Sequence, residues 1–245
     1  MLGLQLYTVR DKMKDEASAV CALNEIKNMG YECVQLAGNM ETVEIATSAC
    51  EKTGMRAVGI LVGMNECESF GEELFACAKR CGATDIGISS GMKTEAEAFD
   101  IINRANAFAK KAKEQGFSFS YHNHSNEFIR GESGKTLMQL LLEGFECDLV
   151  KLMPDTYWLQ HGGVDVRAFL EYVSGRVKIL HLKDMKRTPE GPTFSEIGAG
   201  NMNFKGILSE AKKIGVEHFI VEQDKCACDS LDAAHISCEF LRKIL

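Results

Sequence analysis

The regular alternation of short apolar runs with longer amphipathic stretches constrains the fold of this chain more than any other feature. Eight of the short runs have the length and the content of β-branched, aliphatic and aromatic residues that buried strands need. These predicted strands are Leu2–Tyr7, Cys33–Leu36, Ala57–Val62, Ile86–Ser89, Phe117–His122, Leu149–Met153, Val177–Leu182 and Phe219–Glu222. A stretch with helical periodicity follows each strand, so the pattern predicts parallel strands joined by right-handed crossovers.

The predicted helices complete the repeating unit and indicate a closed barrel. They are Ala17–Met29, Glu41–Lys52, Cys67–Arg80, Thr94–Gln115, Lys135–Leu142, Val166–Val173, Phe204–Ile214 and Leu231–Lys243. Several end next to a glycine, such as Gly30 and Gly54, which can adopt the left-handed conformation that stops a helix before a short loop. Eight such units fit an α/β fold of the (β/α)8 TIM barrel type, which typically has about 250 residues. An open sheet of eight parallel strands is the alternative.

The composition argues against several classes of protein. Hydrophobic residues make up 45% of the chain, and no linker or low-complexity segment divides residues 1–245, so we expect one domain. The net charge of −7 argues against sequence-independent binding to nucleic acid. No apolar run approaches the roughly 18 residues of a membrane span, and the N-terminus has no leader pattern. We therefore expect a cytoplasmic protein without membrane partners, while assembly into a homo-oligomer stays open.

Most of the ten cysteines lie within the predicted helices and strands, where a reduced thiol acts as a small hydrophobic side chain. Cys226 and Cys228 differ, because they follow the last predicted strand in a loop. Their spacing is not that of a zinc knuckle. We interpret them as ordinary loop thiols, with metal ligation or a redox pair as the alternative.

Four of the predicted strands end on a side chain that can bind a metal ion, namely His122, Asp155, His181 and Glu222. The carboxyl ends of parallel strands share one rim of a barrel, so these side chains are expected to converge. Two imidazoles and two carboxylates suit one divalent cation: Mn²⁺, Co²⁺, Mg²⁺, Fe²⁺ or Zn²⁺. Taken alone, Asp155 could instead cap a helix, and Glu222 could belong to an ion pair inside the barrel.

His124 and Lys183 accompany these residues as candidates for proton transfer. Side chains alternate along a strand, so His124 shares a face with His122 and Lys183 shares a face with His181. A buried ammonium without a partner is costly, and next to a cation its pKa is expected to fall. A surface pair between Lys183 and Asp184 is the alternative. The groups expected to move a proton are Glu222, Lys183 and His124.

A second set of residues suggests a surface for a polyhydroxylated substrate. Trp158, the only tryptophan, is followed by Gln160 and His161, which together suit the wall of a sugar site. Tyr7 ends the first predicted strand and Arg10 lies just beyond it, where Arg10 could bind a distal phosphate or hydroxyl group. The alternatives are a tryptophan that fills a gap between helix and barrel, and an arginine in a salt bridge at the rim.

Six short motifs resemble one known family along essentially the whole chain. They are Leu4-Gln-Leu-Tyr-Thr-Val-Arg10, Tyr121-His-Asn-His124, Asp155-Thr-Tyr-Trp158, His181-Leu-Lys-Asp184, Glu196-Ile-Gly-Ala-Gly200 and Val221-Glu-Gln-Asp224. They resemble the xylose isomerase-like barrel superfamily, and more narrowly its sugar phosphate isomerase/epimerase-type members. The resemblance implies a TIM barrel that holds one divalent cation and acts on a sugar, keto-sugar or cyclitol. It places the metal ligands at His122, Asp155, His181 and Glu222.

One position departs from the pattern of the family. Its epimerases of the two-glutamate type have a catalytic carboxylate where this chain has His122, so their symmetric acid–base pair is incomplete here. The combination of His122 with His124 looks more like the inosose dehydratase branch. The DNA-repair endonucleases of the superfamily use a trinuclear site with more ligands than this chain offers. We therefore predict a metal-dependent sugar isomerase or epimerase that uses enediolate chemistry. The alternatives are a dehydratase on the same site, a non-catalytic polyol-binding barrel and a nuclease.

Overall fold

Hydrogen bonds between neighbouring strands build a barrel in the computed structural model, which describes residues 1–245. Its strands are β1 Leu2–Gln5, β2 Cys33–Ala37, β3 Ala57–Gly63, β4 Asp85–Ser89, β5 Ser118–His122, β6 Val150–Met153, β7 Ile179–Leu182 and β10 His218–Val221. All paired neighbours are parallel, in the order β6-β5-β4-β3-β2-β1-β10-β7. Isolated parallel bridges, Leu152 with Val177 and Asp155 with His181, join β6 to β7. The TIM barrel prediction is confirmed, and the open sheet is wrong.

Helices cover the outside of the barrel in the alternating order that the sequence predicts. They are α1 Glu16–Met29, α2 Met40–Thr53, α3 Met64–Ser69, α4 Gly71–Cys81, α5 Glu95–Glu114, α6 Leu137–Gly144, α7 Thr156–His161, α8 Val166–Tyr172, α9 Phe204–Lys213 and α10 Ser230–Leu241. Buried apolar residues of the strands and helices form a core cluster of 66 residues. No helix is both long enough and apolar enough to cross a membrane.

The structure differs from the sequence prediction at three elements that lie near the rim. Strand β1 stops at Gln5, because its side chain caps the 3-10 helix Leu6–Lys12 by accepting from the Tyr7 N–H. The predicted helix Cys67–Arg80 is two helices, interrupted at Phe70, whose φ of −131° is not helical. The predicted loop after β7 contains an antiparallel hairpin of β8 Asp184–Thr188 and β9 Gly191–Ser195.

All ten cysteines are free thiols, consistent with the sequence interpretation. Cys226 is half-buried and Cys228 is exposed. Burial, followed by the neighbouring Cys228, raises the pKa of Cys226 to about 11. This thiol is therefore protonated near neutral pH, as expected for an ordinary loop cysteine rather than a reactive thiolate.

Candidate active site

The carboxyl ends of β5, β6, β7 and β10 bring His122, Asp155, His181 and Glu222 to one point inside the rim. His122 and His181 belong to their strands, whereas Glu222 follows directly after β10 and Asp155 lies two residues after the end of β6. One potential ligand atom from each residue lies within 4.8 Å of the other three. All four side chains are buried, at most 6% exposed. The structure thus brings together the four residues that the strand-end pattern singled out.

Unpartnered polar atoms surround this point. Neither ring nitrogen of His122 has a hydrogen-bond partner, and Asp155 Oδ2 has no contact closer than the Lys183 ammonium at 3.1 Å. His122 Nε2 lies 3.5 Å from Asp155 Oδ2 and 3.7 Å from Glu222 Oε2, too far for normal hydrogen bonds. Buried polar atoms normally find a partner, so the unpartnered ring of His122 beside two carboxylates fits a cation held between them. Asp155 Oδ1 meanwhile accepts from the Trp158 N–H, so the residue also caps α7.

Lys183 lies fully buried against the carboxylates of this cluster. Its Nζ is 3.1 Å from Asp155 Oδ2, 3.1 Å from Glu222 Oε2 and 2.9 Å from Asp224 Oδ1. Burial alone would lower the pKa of Lys183, but the attraction of these carboxylates raises it above its ordinary value. The carboxylates that pair with Lys183 are thus those of Asp155, Glu222 and Asp224, and not that of Asp184.

The charges of the cluster also fit a divalent ion. Three carboxylates face one ammonium, which leaves two negative charges unbalanced when the histidines are neutral. Burial, ahead of the other influences, lowers the pKa of His122, and neutral imidazole is the form that binds metals. A buried excess of negative charge is unfavourable unless a cation compensates it. The donor set, the unpartnered ring of His122 and the charge therefore all fit one divalent cation.

His124 stands beside the cluster as a neutral base. Its ring centroid is 5.1 Å from that of His122 and 5.3 Å from that of Trp158. Burial first, and then His122, lowers the pKa of His124 below its ordinary 6.5, so the imidazole is neutral near pH 7. Glu127 fixes the backbone here by accepting from the His124 N–H at 3.0 Å and from the Tyr121 hydroxyl at 2.7 Å.

A cavity of about 400 Å³ opens above these side chains at the mouth of the barrel. Its polar and aromatic lining includes Tyr7, Arg10, His122, His124, Glu222, Asp224 and Lys225. The guanidinium of Arg10 lies 4.2 Å from the centre of the Tyr7 ring and donates to the carbonyls of Tyr7 and Asp224. Arg10 is thus held at the mouth by backbone acceptors, and not by the salt bridge considered as the alternative.

An aromatic wall closes one side of the site. The Trp158 ring lies 5.4 Å from Lys183 Nζ and, with His124, lines an adjoining cavity. Phe194, from the hairpin, lies 5.7 Å from Trp158 and 4.4 Å from Tyr157, measured between ring centroids. Sequence reasoning missed Phe194, because the hairpin that carries it was taken for a loop.

Two residues of the predicted substrate wall are not at the site. Gln160 and His161 are exposed on α7 and line neither cavity. His161 packs instead on the ring of Tyr157, with a centroid distance of 5.6 Å. Substrate binding by Gln160 and His161 therefore stays a prediction; α7 has fewer than two turns, and only part of it faces the mouth.

Asp184 anchors the hairpin and the loop that follows it. Its carboxylate accepts from the backbone N–H groups of Met185, Gly198, Gly200 and Met202. Gly198 has a φ of +90°, and a side chain at Gly200 would collide with Asp184. The two glycines of this loop therefore serve its close packing on Asp184.

Sequence reasoning also missed three polar residues around the cluster: Gln35 and Asp224, which contact His181 and Lys183, and Gln5, which contacts Gln35. Gln5 and Gln35 are fully buried within apolar strands. Polar residues inside such strands are rare enough to have been a usable signal. Gln35 Oε1 lies 2.6 Å from His181 Nε2, and Asp224 is the nearest carboxylate to Lys183.

Comparison with known proteins relates the whole barrel to one family. A family model described as a xylose isomerase-like TIM barrel matches residues 23–244. The chain is 28% identical over 113 residues to an inosose dehydratase of Mesomycoplasma hyopneumoniae (strain 7448). That match covers 45% of this chain but only 35% of the relative, so the chain aligns with about a third of that protein's length.

Solved structures share the architecture over nearly the full chain. A sugar phosphate isomerase/epimerase from Parabacteroides distasonis ATCC 8503 superimposes with a TM-score of 0.80 at 22% identity, covering 98% of this chain and 93% of that one. The probable 3-DHS dehydratase AsbF from Bacillus anthracis gives a TM-score of 0.76 at 14% identity, covering 98% of each chain. At these identities the likeness shows a common fold.

Proposed function

The chain belongs to the xylose isomerase-like TIM barrel family, and from this premise we propose that it is a divalent-metal-dependent carbohydrate isomerase or epimerase. Its substrate is a keto-sugar, a sugar phosphate or a cyclitol. The observation that carries the proposal is the buried convergence of His122, Asp155, His181 and Glu222 within 4.8 Å. The sugar phosphate isomerase/epimerase that shares the fold and the relative described as an inosose dehydratase support this substrate class.

The four converging residues would hold one ion among Mn²⁺, Co²⁺, Mg²⁺, Fe²⁺ and Zn²⁺. A bound divalent cation supplies Lewis-acid stabilisation of negative charge that develops on substrate oxygens. The protein's part is to keep two imidazoles and two carboxylates in place. Lys183 and the strand ends fix the carboxylates, since Lys183 contacts both.

Proton transfer falls to His124 and Lys183. Neutral His124 accepts the proton from the carbon next to the substrate carbonyl, because its lowered pKa keeps its ring nitrogen available near pH 7. Lys183 remains an ammonium and donates to the oxygen on which negative charge develops. Glu222 is the third candidate, but its Oε2 already contacts both His181 and Lys183. We therefore assign it chiefly the task of holding those groups.

Substrate binding is assigned to the mouth of the barrel. The aromatic faces of Trp158 and Phe194 pack against the C–H surface of a sugar. Arg10 uses only part of its five donors on backbone carbonyls, so the remainder can bind a distal hydroxyl or phosphate group. Tyr7, 42% exposed, offers its ring and hydroxyl beside Arg10.

Dehydration is the second candidate, and the inequality of the two proton-transfer groups favours it. Epimerisation needs a base on each face of the reacting carbon, whereas this site pairs one neutral imidazole with one ammonium. In dehydration His124 takes the proton from carbon, Lys183 gives a proton to the leaving hydroxyl, and a C=C bond forms as water departs. The 28% sequence identity over 113 residues to an inosose dehydratase also supports dehydration.

A screen of keto-sugars and inososes in D₂O with Mn²⁺, followed by mass spectrometry, tests the proposal. Deuterium uptake without loss of mass indicates isomerisation or epimerisation, and loss of water indicates dehydration. His124→Gln should abolish either signal. The matched control is His235→Gln, since His235 is exposed on α10. Sugar binding that persists after chelation, with no exchange in any substrate, would contradict catalysis and favour a non-catalytic barrel.

A further inference from the structure

A buried pair of side-chain amides lies beside the four candidate metal ligands. Gln5, the last residue of β1, and Gln35, in the middle of β2, are register partners, and neither is exposed to solvent. Gln5 Nε2 donates to Gln35 Oε1 at 2.6 Å. The same oxygen lies 2.6 Å from His181 Nε2. Two side chains therefore converge on one carbonyl oxygen in the interior of the barrel.

The orientation of both amides is fixed by neighbouring groups, one of which can only donate and the other only accept a hydrogen bond. The Tyr7 backbone N–H donates to Gln5 Oε1 at 3.3 Å, so the amino group of Gln5 must face Gln35. Gln35 Nε2 lies 3.2 Å from the thioether sulfur of Met153, which can only accept. Rotating the Gln35 amide would oppose two amino groups and place its oxygen against the sulfur.

The fixed amides determine which nitrogen of His181 carries a hydrogen. A carbonyl oxygen can only accept, so His181 must donate to Gln35 from Nε2. In the neutral imidazole, Nδ1 then carries the lone pair. This nitrogen faces Glu222 Oε2 at 2.8 Å, and since a carboxylate also only accepts, a cation bound here takes the place of a hydrogen on Nδ1. His122 has no such partner on either nitrogen, so its tautomer is not set in this way.

We propose that Gln35, held in place by Gln5, is a positioning residue that keeps hydrogen on His181 Nε2 and presents Nδ1 to a divalent cation. The inference rests on the proposed metal-dependent function. Outer hydrogen bonds of this kind orient ligating histidines in metal sites generally. Here the orienting group is a neutral amide, which is itself locked by the backbone at the end of β1.

Nitrogen NMR on the wild-type protein tests the tautomer without any substitution at Gln35. Long-range ¹H–¹⁵N correlation spectra are recorded on the metal-free and the Zn²⁺-loaded protein, with His181 assigned through His181→Asn. We expect Nε2 to carry hydrogen in both states, and Nδ1 to be the nitrogen whose shift responds to Zn²⁺. A bare Nε2, or Zn²⁺ bound to Nε2, would overturn the proposal.

Substitutions then test whether the amide affects metal binding, measured as Zn²⁺ affinity by chelator competition. Gln35→Leu removes the acceptor and should weaken binding by about 10–100-fold, as losses of such partners do. Gln35→Glu keeps an acceptor and should retain tight binding. Gln5→Leu removes only the restraint on Gln35 and should cause a smaller loss.

Gln223→Leu is the matched control, because this buried glutamine at the mouth donates to Glu196 and not to His181. Its Zn²⁺ affinity should equal that of the wild type. Wild-type affinity in Gln35→Leu would overturn this inference while leaving the metal site intact. A wild-type protein that binds no divalent ion would instead contradict the proposed function itself. If Gln35→Leu does not fold, the wild-type spectra decide.

Discussion

Replacing Lys183 by methionine removes the positive charge that the buried carboxylates of Asp155 and Glu222 share with the partly exposed Asp224. Methionine approximates the length of the lysine stem but has no ammonium, so Asp155, Glu222 and Asp224 lose contacts of 3.1, 3.1 and 2.9 Å. Removing one partner from a buried ion pair typically costs about 3–5 kcal/mol, because the remaining charge stays buried without compensation. We expect Lys183→Met to lower the metal-free free energy of unfolding by about this amount.

A divalent cation should partly reverse this loss, because it supplies the missing positive charge. The ammonium and the cation share Asp155 Oδ2 and Glu222 Oε2, so the variant should also bind the ion more tightly than the wild type. Ligand binding at 100 times Kd stabilises a native state by about 2.7 kcal/mol. The assay is urea unfolding of both proteins with a chelator and with Mn²⁺. Catalytic activity of Lys183→Met should be lost in both conditions.

Lys213→Met is the matched control. Lys213 also contacts two carboxylates, at 3.2 Å from Glu171 and 3.1 Å from Glu210, but it lies at the surface. Exposed pairs contribute about 0–1 kcal/mol, so this variant should unfold almost like the wild type. The reasoning is refuted if Lys183→Met costs no more than Lys213→Met, or if Mn²⁺ stabilises it no more than it stabilises the wild type.

Three further predictions concern the groups around the cluster. Burial and His122 lower the pKa of His124 below 6.5, so the ring stays neutral until the pH falls below that lowered pKa. The catalytic rate should therefore be constant down to that pKa and decline below it, as measured by a pH–rate profile. Asp184→Asn removes acceptors from backbone N–H groups and should cost about 1–3 kcal/mol in urea unfolding, with faster proteolysis of the hairpin. Phe194→Ala should raise KM while Zn²⁺ affinity stays at the wild-type value, because the ring touches the aromatic wall and not the cluster; a weakened Zn²⁺ affinity would contradict this.

The barrel could be predicted because its strands are short and apolar, and because the helices between them show the helical spacing of apolar residues. Strand β5 ends at His122 and β7 passes through His181, close to the predicted positions. The hairpin after β7 escaped prediction, since its sequence is polar and its order depends on Asp184 binding a loop 14 to 18 residues away. Helix α7 was not predicted either, because it is only six residues long and depends on its cap at Asp155.

The convergence of the candidate ligands followed from strand polarity, but their contacts did not. Lys183 and Asp184 are consecutive and therefore face opposite sides, so Asp184 binds the loop while Asp224 reaches Lys183. Gln35 meets His181 across the barrel, 146 positions apart in sequence. Periodicity shows which side chains point inward, whereas the closure of the barrel decides which of them touch.

Metal analysis of the purified protein tests the central claim most directly. The wild type is expected to retain one equivalent of a divalent ion after desalting, as is the control His235→Ala, whose residue is exposed on α10. His181→Ala and Glu222→Ala each remove one of the four converging ligand atoms and should lose the ion while keeping the circular dichroism of a folded barrel. An unchanged metal content in both variants would contradict the account.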